Sequence, residues 1–274
     1  MMYGSNLIRA FAAAALINVM FCVAWATEES PKINASTSIE DLRAFALKGN
    51  ADAMLELGER LIQGQGVDTN AVEGLQWIQK AADAGKANAW CDLGMAYSNG
   101  FGVKTDMARA MELYHKGAEK GDACCQASLG MFYQAGERIP GGVKADPAEA
   151  AKWYRLAAEQ NHQEAIFHLA QLYMQGDGVK QDSSEAAKWF RKGAEVGNPD
   201  AQWMLGICYR KGIGLAKDNI QAFALISAAV DGAENPEQKK GMAEARDKIG
   251  GELGPDQLKQ AQKLAQEWID KRAK

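Results

Sequence analysis

The stretch Ala89-Trp90-Cys91-Asp92-Leu93-Gly94-Met95-Ala96-Tyr97-Ser98-Asn99-Gly100-Phe101-Gly102-Val103-Lys104-Thr105-Asp106 decides the fold, because four other segments of the chain repeat its plan. Ala89, Leu93 and Tyr97 recur every four residues and so share one side of a helix. Gly94 follows Leu93 on that side, Gly100 and Gly102 end the helix, and Asp106 opens a second one. The Leu-Gly pair returns as Leu57-Gly58, Leu129-Gly130, Leu169-Ala170 and Leu205-Gly206, so that the five copies are spaced by 36, 36, 40 and 36 residues. A helical pattern at such a period signals a solenoid of stacked hairpins, each covering the apolar edge of the next.

Two kinds of glycine separate on this register. Gly58, Gly94, Gly130 and Gly206 lie inside a helix, where glycine costs about 1 kcal/mol relative to alanine. Ala170 fills the same place in the fourth copy, so the position needs small size, and close approach of a neighbouring helix is expected there. Gly64, Gly100, Gly136, Gly176 and Gly212, each with a second glycine after it, are expected to close the first helix in left-handed backbone. Asn70, Asp106, Asp146, Asp182 and Asp218 stand as N-caps of the second helices, with Pro147 at the usual first-turn place. Their buried stripes run through Ala110, Leu113, Tyr114 and Ala118, and through Ala186, Trp189, Phe190 and Ala194, before Gly85, Gly121, Asn161 and Gly197 end them.

Written out, the pattern A-x3-LG-x2-Y-x2-G-x-GV-x2-D-x3-A-x2-W-x3-A-A-x2-G resembles the Sel1-like repeat, a relative of the tetratricopeptide repeat, over about residues 50–232. Departures are Ala170 for glycine, Gly74 for alanine, and an irregular fifth unit with Leu215, Leu225 and Ala233. The resemblance implies an all-α, right-handed α/α superhelix with repeats at 50–85, 86–121, 122–161, 162–197 and 198–232. A helix at 39–49 would begin the stack, and helices within 233–274 would close it. Residues 27–38 are expected to lack structure. A stack of this kind is expected to form one continuous domain.

Arg9, the apolar run Ala10 to Val23 and the small-x-small motif Ala24-Trp25-Ala26 read as a secretory signal peptide cut after Ala26. An anchored helix is the alternative, but the run is short for a bilayer span. A periplasmic or secreted protein, without stable membrane insertion after cleavage, is therefore expected. The net charge of −4 comes without a basic stripe, which argues against nucleic acid as a partner. Of the cysteines beyond the signal, Cys208 lies two units from the rest. Cys91 can bridge to Cys124 or Cys125, since they fall on first helices of adjacent units; the alternative is that all are small buried residues.

No catalytic constellation is present: there is no S-x-x-K and no G-x-S-x-G, and Ser98 reads as a helix-terminus residue. His115, His162 and His168 lack metal-ligand spacing, and no metal or cofactor is expected. The family resemblance still leaves a rival to binding, an envelope hydrolase of the β-lactamase or penicillin-binding type. It also implies that first helices line a concave face through positions three before and one, four and five after the repeat glycine. Those positions vary between copies, and Phe167, Trp203, Met131, Gln171, Asn99, Gln134, Gln175 and Arg210 are the candidate peptide-binding residues, with Met95 beside them. Aromatic anchors beside amide and basic side chains suit an extended peptide, so a monomer binding a protein or peptide partner is expected; the alternative is that Phe167 and Trp203 only fill gaps between adjacent helices. The four extra residues within Gly136 to Gly142 are expected in a surface loop.

Overall fold

The computed structural model describes residues 32–272, which form thirteen α-helices, one 3-10 turn and no strand. The expected signal peptide over residues 1–26 lies outside the described residues. Where one continuous domain is expected, the chain divides into two compact units, up to Ala84 and from Gly85 onward.

The first unit contains α1 (Ile39–Leu47), α2 (Ala51–Gln63) and α3 (Ala71–Asp83). Its core gathers Leu42, Ala46, Ala53, Leu57, Leu61 and Trp77. Residues 34–38, part of the segment expected to be unstructured, form a turn held from below by a buried arginine. Arg60 is only 7% exposed; its guanidinium donates to the carbonyls of Thr37 (2.6 Å) and Asn34 (3.0 Å) and to Glu56 (2.7 Å). A buried cation is tolerated when its donors are used up in this way. Ile33 packs on the same core, so the order of this segment comes from tertiary contacts that its own composition does not disclose.

The second unit runs through α4 (Ala87–Asn99), α5 (Met107–Glu119), α6 (Ala123–Ala135), α7 (Pro147–Glu159), α8 (Gln163–Gln175), α9 (Ser183–Glu195), α10 (Pro199–Lys211), α11 (Asn219–Gly232), α12 (Pro236–Gly250) and α13 (Pro255–Arg272). These are four hairpins followed by the closing pair. The N-caps are as expected: the N–H groups of Arg109, Glu149 and Glu185 donate to Asp106, Asp146 and Asp182 at 2.9, 3.0 and 3.0 Å. First helices are capped as well, by Asn50, Asp122, His162 and Asn198. Lys86, just inside the second unit, stands at the N-cap of α4 without a side-chain cap bond.

Both classes of glycine are present, and the first one acts against the facing helix of its own hairpin. A Cβ on Gly94 would lie 2.6 Å from the Tyr114 ring, and one on Gly130 would lie 2.6 Å from the Tyr154 ring. Gly58 and Gly206 meet Ile78 and Ile226 in the same way, and Ala170 is buried with Phe190. Each of these partners comes from the second helix of the same hairpin, so the glycine sets how closely a hairpin closes. The terminating glycines have φ of +71° at Gly64, +76° at Gly100, +74° at Gly176 and +72° at Gly212. Gly136 departs to ψ −135° and enters the 3-10 turn Gly136–Arg138, which begins the longer loop of the third repeat. The following glycines carry a further task. Gly178 and Gly214 press on the backbone at Pro147 and Ser183, the first residues of α7 and α9, leaving no room for a side chain.

Consecutive hairpins of the second unit are also tied by polar contacts from second helix to next first helix. His115 Nε2 lies 3.4 Å from Tyr133 OH, Arg155 donates to Tyr173 OH, and Arg191 donates to Tyr209 OH at 2.7 Å. Both guanidinium groups also lie over the tyrosine ring they bond, 5.7 and 5.8 Å from its centroid.

Candidate functional site

The first helices of the second unit are α4, α6, α8 and α10, and α4 approaches α6 as α6 approaches α8. Cys91 and Cys124 join α4 to α6 through a disulfide with a Cα–Cα distance of 6.2 Å, which settles the alternatives left open by the sequence. Cys125 is buried in the core instead, its sulfur filling the space left by Gly117. Burial pushes its thiol up, and that of Cys208 to about 11, so neither is a thiolate at neutral pH. Cys91, Asp122 and Cys124 bring potential ligand atoms within 4.8 Å of one another, but both sulfurs are consumed in the disulfide and Asp122 caps α6.

From the second to the fourth repeat, the positions three before and one, four and five after the repeat glycine carry no charged side chain. Met95 and Met131 are open to solvent, 39% and 47% exposed. Asn99 and Gln175 are exposed and Gln171 half-buried. The Asn99 side-chain amide donates to the Met95 carbonyl at 2.9 Å and to the Ser98 hydroxyl at 3.2 Å. Gln134 is committed differently: Tyr154 OH donates to its Oε1 at 2.9 Å, so it braces the ring that lies on Gly130. Phe167 is half-buried, 5.9 Å from the Phe190 ring and packed on the fourth hairpin's core. Trp203 packs partly on the core under α11 and α12. Arg210 donates to Asn219 at 3.0 Å and pairs with Glu252 at 2.6 Å, tying the fifth repeat to the turn before α13.

The structure thus brings Met95, Asn99, Met131, Gln171 and Gln175 onto accessible positions of successive first helices. It gives Gln134 and Arg210 bracing contacts and leaves Phe167 and Trp203 half in the core. The Glu252 clamp escaped sequence reasoning, because its partner lies 42 residues away. Of the hydroxyls on this face, that of Ser98 donates to the Met95 carbonyl at 3.0 Å, a helix-end contact. Apolar side chains beside outward amides can receive another chain's side chains and satisfy its backbone.

Comparison with known proteins agrees with this architecture. The Sel1 repeat pattern matches residues 51–86, 88–122, 125–162, 163–198 and 199–232. The chain belongs to the Sel1 repeat family. Its Sel1 hairpins are similar to those of a Sel1 repeat protein from Oxalobacter formigenes, at 31% identity and a TM-score of 0.61, over 73% of this chain and 86% of that one. The protective antigen c5321 of uropathogenic Escherichia coli strains, which displays an SLR fold, shares 27% identity with a TM-score of 0.54, over 86% of this chain and 56% of its own. No curated protein matches the sequence. Sel1 repeats generally serve as non-enzymatic scaffolds for protein–protein contacts.

Proposed function

We propose that this Sel1 protein is an exported, monomeric scaffold that holds an extended, largely uncharged segment of a protein partner across its first helices. The observation that carries this reading is the accessible methionine and amide face of α4, α6 and α8, free of charged side chains at the register positions that vary between copies. Anchors of this kind supply apolar contact area, while Asn99, Gln171 and Gln175 pair with backbone groups that would otherwise lose water.

Export is supported by the apolar run ending in Ala24-Trp25-Ala26, and the Cys91–Cys124 disulfide fits an oxidising compartment such as the periplasm or the exterior. Affinity capture from an envelope extract, comparing the wild-type protein with a Met95→Glu, Met131→Glu variant, tests the binding face. Both side chains point outward, so helicity stays unchanged while partner recovery falls about tenfold. Full recovery of the same partner by the variant overturns the assignment. Fractionation tests the compartment: cytoplasmic protein that keeps residues 1–26 overturns export.

A further inference from the structure

A second recessed surface lies on the other helix of the hairpins. Where the third repeat meets the fourth, Ala148, Ala151, Lys152, Arg155 and Leu156 of α7 and Gly178 and Val179 of the following turn line a cavity of 410 Å³, a size that admits a large side chain. Its lining includes one residue that departs from the neighbouring repeats. Lys80, Lys116 and Lys192 occupy the register position that Leu156 takes in this copy, and each of those lysines lies over a tryptophan ring. Leu156 has nothing comparable and stays 44% exposed. The neighbouring repeats differ at the corresponding positions: Met111 is buried in the second repeat, and in the fourth Ser184 donates to the Gly214 carbonyl at 3.1 Å. In this copy both positions are alanines, Ala148 and Ala151, which line the cavity.

The lining contains two cations and no acid, in a chain of net charge −4. Lys152 is exposed and shares one carboxylate, Glu149, at 2.7 Å. Arg155 is held over Tyr173 and donates to its hydroxyl; among the described residues it has no carboxylate partner. A guanidinium pinned by a neutral hydroxyl keeps most of its donors and its whole charge for an anion, already oriented.

We propose that this recess docks an acidic peptide segment of a protein partner, which places one apolar side chain against Leu156 and Val179 and its carboxylates on Arg155 and Lys152. Charge complementarity selects the occupant: an apolar residue alone leaves Arg155 without a carboxylate, and an acidic residue alone leaves the recess unfilled. The site uses second helices and the turn after α8, so it stands independently of the first-helix face.

Fluorescence anisotropy with the whole purified protein tests it, using a labelled decapeptide of alternating aspartate and glutamate around one central phenylalanine. Leu156→Gln places an uncharged helix former at a part-exposed position and so leaves the fold intact; it weakens binding about tenfold by removing the apolar wall without changing the charge of the recess. Arg155→Gln weakens it about fivefold, the range of one exposed ion pair. The Met95→Glu, Met131→Glu variant binds the probe as the wild type does. Three results each overturn the proposal: no wild-type binding up to about 1 mM peptide, unchanged affinity in Leu156→Gln, or equal binding of the same peptide with lysines replacing its acids. Binding to phosphatidylglycerol vesicles without binding to the peptide overturns it too.

Discussion

Gly130→Ala puts the small-residue register to a quantitative test. The new Cβ would lie 2.6, 2.7 and 2.8 Å from three carbons of the Tyr154 ring, where ordinary contact begins at 3.4 Å. The ring must therefore recede by about 0.8 Å, and it is poorly placed to do so: Tyr154 is buried, and its hydroxyl is fixed on Gln134 at 2.9 Å. Overpacking of this severity costs about 3 kcal/mol, against which alanine in a helix interior returns about 1 kcal/mol over glycine. A net loss of about 2 kcal/mol follows, or a fall in melting temperature of about 4–8 °C for a chain of this size.

Gly241→Ala is the matched control. It lies within α12, with nothing within 4 Å of the place where its Cβ would stand, so only the propensity gain remains and stability rises by about 1 kcal/mol. The fourth repeat indicates a rescue, since Ala170 faces Phe190, a ring without the anchoring hydroxyl. Tyr154→Phe frees the ring at a cost of about 1 kcal/mol for the lost hydrogen bond. Combined with Gly130→Ala it should cost about 2 kcal/mol, less than the sum of the two singles by about 1 kcal/mol, a coupling that a double-mutant cycle resolves. Urea unfolding followed by circular dichroism at 222 nm measures the four variants against the wild type. Equal stabilisation by Gly130→Ala and Gly241→Ala refutes the reasoning, because the two sites would then differ in nothing that matters.

Further predictions rest on other contacts. Cys91→Ser with Cys124→Ser opens a loop of sequence separation 33 and should lower stability by about 3–4 kcal/mol; a free-thiol titration of the unfolded wild type should find two thiols among its mature cysteines, and four would disprove the bridge. Arg60→Met strips the Asn34 and Thr37 carbonyls of their donor at a cost of about 2–3 kcal/mol, and amide exchange should accelerate over residues 34–38 before anywhere else; uniform exchange across the first unit would contradict the local role. His168 stacks on Tyr154 at 5.1 Å, and burial holds its pKa below the usual histidine value despite the opposing charge of Glu164. The unfolded chain therefore takes up the proton first as pH falls below about 6.5. Stability should decline from there down to the folded pKa and then level off with respect to this group, and His168→Phe should flatten that segment of the curve; an unchanged slope in the mutant would assign the decline to other groups.

Most of the fold was legible because its determinants are local. The caps at Asp106, Asp146 and Asp182 bond N–H groups three residues on, and Gly100 and Gly176 need only their own φ; both requirements recur at the period and so stand out. The candidate face was legible by position but not by role. Whether a side chain such as Gln134 or Arg210 is available to a partner depends on Tyr154 and Glu252, 20 and 42 residues away, and on side-chain reach that periodicity does not encode. Register comparison nevertheless contained a signal for such contacts in the residues that break the pattern. Arg60 occupies the place of Ala96, Phe132, Leu172 and Cys208, all buried, so an arginine there had to find buried acceptors; it finds the turn before α1. Leu156 is the converse, an apolar residue at a position that is lysine in three other copies, and it leaves apolar surface exposed. In a chain of near-identical hairpins the shared residues build the stack, and a residue whose chemistry opposes its register needs a partner from outside the repeat. Arg60 has that partner within its own chain, whereas Leu156 stays 44% exposed, and this is the physical reason to look for a partner on another molecule.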